Sequence, residues 1–315
     1  RVILVITFLV LFAIYIAINL RGEYLKTLQV GQEYLSVFKQ NVKFRFGVTL
    51  INFAVLYIAT YITTRFIKRG LRKFFEEEKK EMPKLPNKSI SLIFSAIASM
   101  ITSTFLIEKA MLAFNTAWFG ISDPIFNLDI GYYMFQKPFI ETILIYFVGL
   151  MVVYSVYIAL YYIIVFNIYF DKGINPETLK KSTFLKHLIT NVILAIIGIS
   201  GITLINVQDV LFGKFLNLSS EMSLYGAGLT DVTIKVWGYA IFSLVILICS
   251  VMAIKNFGKN KFKRVMLWLS TIPLYLVLLF VVIVGFDLIY VRRNEMDKEK
   301  TYITILFFTV FCKYI

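Results

Sequence analysis

Between two long apolar runs lies the stretch SDPIFNLDIGYYMFQKPFI, Ser122 to Ile140, which carries Asp123, Pro124, Phe126, Asp129, Tyr132, Tyr133 and Pro138. Two carboxylates so close together could serve as an acid and base pair, or join Asn127 in holding a cation. The spacing is not that of a calcium-binding EF-hand loop, Pro124 interrupts it, and nothing in it selects one carboxylate as acid and the other as base. A second candidate stretch is GAGLTDV, with Gly226, Gly228, Thr230 and Asp231. Ser91, Ser95, Ser99 and Ser103 recur every four residues, a spacing that suits either close helix packing or a polar path through the membrane.

Other chemistries find no support. His187 stands alone, and Cys249 and Cys312 make neither a disulfide framework nor a metal site. HExxH, a nucleophile elbow, a P-loop and a dinucleotide fingerprint are all missing, so neither a catalytic residue nor a cofactor is expected.

The elements that must position these residues are set by composition. Hydrophobic residues make up 59% of the 315 and charged residues 17%, an apolar excess that only a membrane protein carries. The chain reads as an all-α integral membrane protein with about seven transmembrane helices. The spans are about 2–20, 47–66, 89–107, 142–166, 187–206, 233–254 and 265–290. Each run is apolar throughout without alternation, and a lipid-embedded backbone must satisfy its own hydrogen bonds, so each is a helix rather than a strand. Residues 1–291 form one seven-span membrane domain, and 292–315 form a tail. The chain starts at Arg1 and enters the first run at once, so its true start is expected to lie upstream; the run is too long for a signal-peptide core.

The net charge of +14 follows from basic loops rather than from a nucleic-acid partner; membrane lipids and other envelope proteins are the expected partners. Connections 67–88, 167–186 and 255–264 hold 17 Lys and Arg, against 8 in 21–46, 108–141 and 207–232. This bias predicts a cytoplasmic N-terminus and an extracytoplasmic C-terminus. On that reading the Asp123 stretch is a turn, cap and aromatic belt at an outer membrane re-entry, with Pro138 in the first turn of the next helix.

In the first connection Tyr24, Leu28, Leu35, Phe38, Val42 and Phe46 recur at helical spacing, which predicts an amphipathic helix on the outer surface. Pro83 and Pro86 mark residues 67–88 as a linker, and Asn175 with Pro176 suggest a capped short helix. Pro273 should kink the seventh span, and Gly198 with Gly201 loosen the fifth. Between their ends the spans hold no Asp, Glu, Lys, Arg or His, which argues against a pump or proton-coupled carrier. Glu108, Lys109, Lys235 and Asp287 lie near the outer boundary.

FNTAWFGISDPIFNLDIGYYMFQKPF, Phe114 to Phe139, resembles the signature of a bacterial group of large membrane proteins, uncharacterised protein family 0182: an FG, then DP-x-F, an Asp with an aromatic pair, then PF. Val30 to Arg45 is similar to that family's first outer segment, GAGLTDV resembles its GAG-x-TD step, and Arg293 to Ile303 resembles the opening of its segment after the seventh span. The resemblance implies about seven N-terminal spans followed by a long extracytoplasmic domain, and no agreed activity. Thr301 departs from the family's proline and the apolar core of the final stretch is too short to span, so 292–315 reads as the remnant of a missing outer domain in a truncated, frameshifted or fragmentary product.

The function expected is a non-enzymatic membrane platform that anchors an extracytoplasmic domain or partner in envelope work. A transporter or channel for a lipid or weakly polar substrate is the alternative, using the serines and Glu108, Asp123, Asp129, Asp231 and Asp287. A membrane enzyme acting on outer-leaflet lipid ranks last.

Overall fold

The computed structural model describes residues 2–77, 79, 87–169, 184–216, 223–257, 259 and 261–291, and for 2–13, 15, 214–216 and 223–225 the backbone only. Pro83, Pro86, Asn175, Pro176, Cys312, Arg293 to Ile303 with Thr301, and the 292–315 tail lie outside the described residues.

Seven long helices make up the described chain: α1 (Val2–Val30), α2 (Leu35–Glu77), α3 (Asn87–Phe114), α4 (Lys137–Tyr169), α5 (Phe184–Asn206), α6 (Val236–Phe257) and α7 (Phe262–Phe286). Six of them, α2 to α7, are long and apolar enough to cross a membrane. The apolar run 2–20 lies wholly within α1. Side chains such as Phe105 (70% exposed) and Phe280 (67% exposed) stand bare on the bundle surface, an arrangement stable only against lipid. The molecule is a multi-span helical membrane protein.

Successive helices run in opposite directions, each packed on the next. The end of the bundle holding residues 115–136, 207–216 and 223–235 is here the crown; the opposite end, holding Arg69, Lys73, Lys186, Lys255 and Lys259, is the basic end.

The packing seams are built from small and hydroxyl side chains, as helices in lipid require for close approach. Ser91, Ser95, Ser99 and Ser103 are all buried on the α3 face toward α2, where Ser91 meets the hydroxyl of Thr64 at 3.2 Å. Asn52 of α2, 5% exposed, donates to Thr102 at 2.9 Å and Ser103 at 3.0 Å, and accepts from Tyr146 of α4 at 2.8 Å. Ser200 of α5 and Ser243 of α6 each donate to the other's backbone carbonyl at 2.9 Å. Gly198 lets α4 approach so closely that a Cβ there would lie 2.6 Å from Val148. Pro273 sits inside α7.

Two features differ from the sequence reading. Residues 21–46 hold no separate surface helix: α1 runs on to Val30, a 3-10 turn covers Gln32–Tyr34, and α2 begins at Leu35. Two of the apolar positions meet across this hairpin, the Tyr24 and Phe38 rings 5.9 Å apart, and Arg45 is bonded to Glu23 at 3.3 Å, while Leu28 and Phe46 stay exposed. At about 1.5 Å per residue, the 43 residues of α2 extend about 65 Å, roughly twice a hydrocarbon core of about 30 Å. Helix α2 therefore projects beyond the membrane.

At the basic end the expected linker is helical as far as Glu77. Ile67, Leu71, Phe74 and Phe75 there pack on Ile158, Tyr162, Val165 and Phe166 of α4, and all eight are buried. The Phe74 and Phe166 rings meet edge-on at 5.2 Å. Burial of this apolar stripe outweighs the charges that flank it in sequence.

Candidate functional site

The crown gathers most of the polar residues marked in the sequence, and its geometry starts from Asp123. This side chain is 1% exposed. Its Oδ1 accepts the backbone N–H groups of Ile125 (2.9 Å) and Phe126 (2.6 Å), the Asx-turn pattern that Asp before Pro favours. Its Oδ2 accepts from Leu128 N–H and the Tyr133 hydroxyl, both at 2.8 Å. Asn127 closes the tight turn in the left-handed region at φ 55°, which Asn tolerates better than most residues. A short antiparallel bridge, Ser122 to Asp129, holds the loop's base.

Asp129 does three jobs of the same kind. Its carboxylate accepts from Phe119 N–H (3.2 Å), Gly120 N–H (2.8 Å) and Gly131 N–H (2.7 Å). Gly131 follows two residues after it, so this last bond caps the helix that starts at Ile130. Partial burial works to raise the Asp129 carboxyl, but the backbone N–H groups of Gly131, Phe119, Gly120 and Ile121 outweigh it and hold its pKa below the usual value of 3.8. Gly120 adopts φ +69°, and a Cβ on Gly131 would fall 2.1 Å from the Ala117 carbonyl oxygen, so both glycines are required by the loop.

Asp123 and Asp129 thus spend their oxygens on their own loop. Positive N–H dipoles face both carboxylates, which suits anionic oxygens and leaves no shared open centre for a cation. Among the described residues no three His, Cys, Asp or Glu side chains come together as a metal set.

Pro138 lies further into its helix than a first turn. The helix begins at Ile130, passes through a π turn at Tyr132–Gln136, and continues as α4. The wider π turn accommodates a proline that cannot donate and would crowd the carbonyl four residues earlier.

The second stretch opens a helical turn at Leu229 that leads into α6. Gly226 is buried at φ +132° and its N–H donates to Gly213 at 2.8 Å, beside the two-stranded ladder of β1 (Lys214–Leu216) and β2 (Ser223–Tyr225). Gly228 caps the helix, and Asp231 three residues on reaches back to its N–H at 2.9 Å, which is half of a capping box. Lys235 pairs with Asp231. Thr230 is buried. A π turn at Asp231–Lys235 repeats the device seen before α4.

The structure brings the two stretches together at one segment, the 3-10 turn Val207–Phe212. Tyr133 and Ile130 pack on Leu211, with Phe126, Tyr132 and Phe212 around them. Tyr132 donates to Gln208 at 3.3 Å. Lys137, 5% exposed, bonds both Glu141 at 2.9 Å and Asp209. Lys137 and Asp209 carry no sequence signal for each other, since 72 residues separate them. Pro124 is exposed on the crown surface. Glu108 lies on α3 and Asp287 opens the π turn after α7, while the serine seam lies on the α3 face toward α2.

The family model described as "Uncharacterised protein family (UPF0182)" matches residues 1–306. A UPF0182 protein of Caldicellulosiruptor saccharolyticus is 24% identical over 302 residues, covering 95% of this chain and 33% of its own. One of Clostridium perfringens is 26% identical over 250 residues, 78% of this chain and 27% of its own. One of Trichodesmium erythraeum is 27% identical over 237 residues, 67% of this chain and 23% of its own. The chain spans about a third or less of the length of these curated relatives. No solved structure matches.

Proposed function

The chain belongs to uncharacterised protein family UPF0182, and on that premise we propose that it is a non-enzymatic membrane platform whose crown holds an extracytoplasmic domain or partner in envelope work. The observation that carries this reading is the saturation of the crown carboxylates. Asp123 and Asp129 accept seven hydrogen bonds between them, six from backbone N–H groups, so their negative charge fixes loop shape and is not presented to a reacting substrate. A general acid or base needs an oxygen within reach of a substrate proton. A crown braced by its own hydrogen bonds and joined to four helices, α3 to α6, is what a docking surface needs.

The same reading places the crown outside and the basic end in the cytoplasm, in keeping with the distribution of Lys and Arg. The polar groups deepest in the bundle favour no conduit, because Asn52, Thr102, Ser103 and Tyr146 bond to one another across helices rather than line an open path.

A photo-crosslinking residue at Ser122 or Pro124, both exposed, tests the platform in intact cells. Discrete protein adducts are expected there and not from the same residue at Lys259, and Asp123→Ala should abolish them. Adducts to lipid alone, or adducts indifferent to Asp123→Ala, would remove the basis for the reading. Reconstitution into liposomes separates the transporter alternative, which requires substrate flux from the isolated chain.

A further inference from the structure

At the basic end a cleft of about 450 Å³ opens between α2 and the start of α5, lined by Phe66, Arg69, Arg72, Lys73, Glu76 and His187. Glu76 is the carboxylate of this lining and is bonded to Arg72 Nε at 2.8 Å. Among the described residues no carboxylate pairs with Arg69 or Lys73, and the described lining sets three cations, Arg69, Arg72 and Lys73, against the one carboxylate of Glu76. The ring of His187 lies 6.2 Å from that of Phe66, and its Nε2 is buried with no hydrogen-bond partner among the described residues. Leaving a buried nitrogen unpaired costs free energy, which a ligand oxygen would recover.

The helix face leading to the cleft is apolar. Ile58 (57% exposed), Ile62 (46%) and Phe66 (49%) follow one another at four-residue intervals, and Arg69 and Lys73 continue the same face beyond them. A surface apolar at membrane depth that turns cationic one turn later matches an acyl chain joined to a phosphate. A free phosphate would have no use for the apolar part.

We propose that this cleft seats an anionic phospholipid, its acyl chain along Ile58, Ile62 and Phe66 and its phosphate between Arg69, Lys73 and His187. Arg69 supplies a planar fork that can take two phosphate oxygens, Lys73 a point charge, and His187 a donor from the floor. Basic pockets between helices at headgroup depth are a recurrent way of binding anionic lipid heads. The site lies at the opposite end from the crown, so its failure leaves the platform reading untouched; the orientation above only names the leaflet.

The test uses the purified full chain and phosphatidylglycerol, read by native mass spectrometry of retained lipid. Arg69→Gln with Lys73→Gln should lower retention at least about fivefold, given roughly a factor of five for each cation near a headgroup. Lys255→Gln with Lys259→Gln, an equal loss of charge at the α6–α7 turn, should leave it unchanged. Equal losses from both pairs, or none from the first, would overturn the proposal. A second measurement needs no variant: long-chain phosphatidylglycerol should stabilise the wild-type chain at concentrations at least about tenfold lower than its deacylated headgroup or inorganic phosphate does. Equal potency would mean that the cleft takes a free anion, and the lipid assignment would fall.

Discussion

The hydroxyl of Tyr133 donates to Oδ2 of Asp123 at 2.8 Å, so a tyrosine in the π turn before α4 ties down the carboxylate that shapes the loop ten residues earlier. Tyr133 also meets Phe212 edge-on at 6.0 Å, and through it the loop is fastened to the 3-10 turn that precedes the second crown stretch. A single buried carboxylate thus joins local turn geometry to the packing of distant elements.

Replacing Asp123 should therefore do more harm than replacing Tyr133. Asp123→Ala leaves the N–H groups of Ile125, Phe126 and Leu128 without their acceptor and should cost about 2–5 kcal/mol, whereas Tyr133→Phe removes one bond worth about 1 kcal/mol. Thermal unfolding in detergent checks the order. A milder effect from Asp123→Ala than from Tyr133→Phe would show that the loop finds other acceptors.

Gly131→Ala should disrupt the crown outright, because the new Cβ would lie 2.1 Å from a backbone oxygen that belongs to a loop held on both sides. Gly149→Ala is the matched control in α4, with nothing within 4 Å of its added carbon; it should be neutral or stabilising by up to about 1 kcal/mol. Yield of monodisperse protein and melting temperature distinguish the two variants. Equal behaviour would mean that the loop relaxes around residue 131.

Asp129 sets an acid limit for the crown. Its folded-state pKa is lowered by backbone N–H donors, so the ionised form stabilises the fold; that contribution is complete above the unfolded value near 3.8 and is lost as pH falls through the lower folded value. Melting temperature should be flat from neutral pH to about pH 5 and fall below about pH 4. Asp129→Asn should be less stable at neutral pH and show a shallower acid loss. Parallel curves for the two proteins would assign the acid loss to other carboxylates.

How much of this was legible in the sequence depended on whether partners were local. Asp129 as a cap and Asp123 as a turn former were readable because the N–H donors that define those roles follow within two to five residues. Lys137 and Asp209 were not, since no pattern links positions so far apart. Tyr24, Leu28 and Phe38 showed an apolar face, but periodicity does not say whether lipid or a second helix covers it; here Tyr24 and Phe38 meet across the α1–α2 hairpin and Leu28 stays exposed. Ile67, Leu71, Phe74 and Phe75 also carried a helical stripe, masked by the Lys, Arg and Glu around it, and their cover is Ile158, Tyr162, Val165 and Phe166, nearly a hundred residues on. The two signature stretches could be marked one by one, while their meeting at Val207–Phe212 required the fold.

The serine face of α3 should tolerate loss of its hydroxyls and not gain of volume. Ser99 is 3% exposed and its hydroxyl bonds the Ala96 carbonyl of its own helix at 3.0 Å, so Ser99→Ala gives up little. Ser99→Leu adds volume where α2 and α3 pack closely and should cost about 1–3 kcal/mol. Comparable melting temperatures for the two variants would mean that the seam has slack, and would reopen the serines as the wall of a polar path.

The orientation proposed for the bundle can be read from two single cysteines, because the crown and the basic end must lie on opposite sides of the membrane. Ser122 is exposed in the crown, and Lys259 is exposed in the turn between α6 and α7, at the basic end. In a background with Cys249 and Cys312 replaced, a membrane-impermeant maleimide applied to intact cells should label Ser122→Cys and spare Lys259→Cys. Lysis should then expose the second site to an equal degree. The charge bias behind this expectation is 17 Lys and Arg against 8, and five of those eight lie in 21–46, where α1 and α2 pair beyond the apolar run. Those cations sit on a projecting hairpin rather than in a short loop, so they weigh less on orientation than their number implies. Labelling of Lys259→Cys alone in intact cells would invert the bundle and place the crown in the cytoplasm.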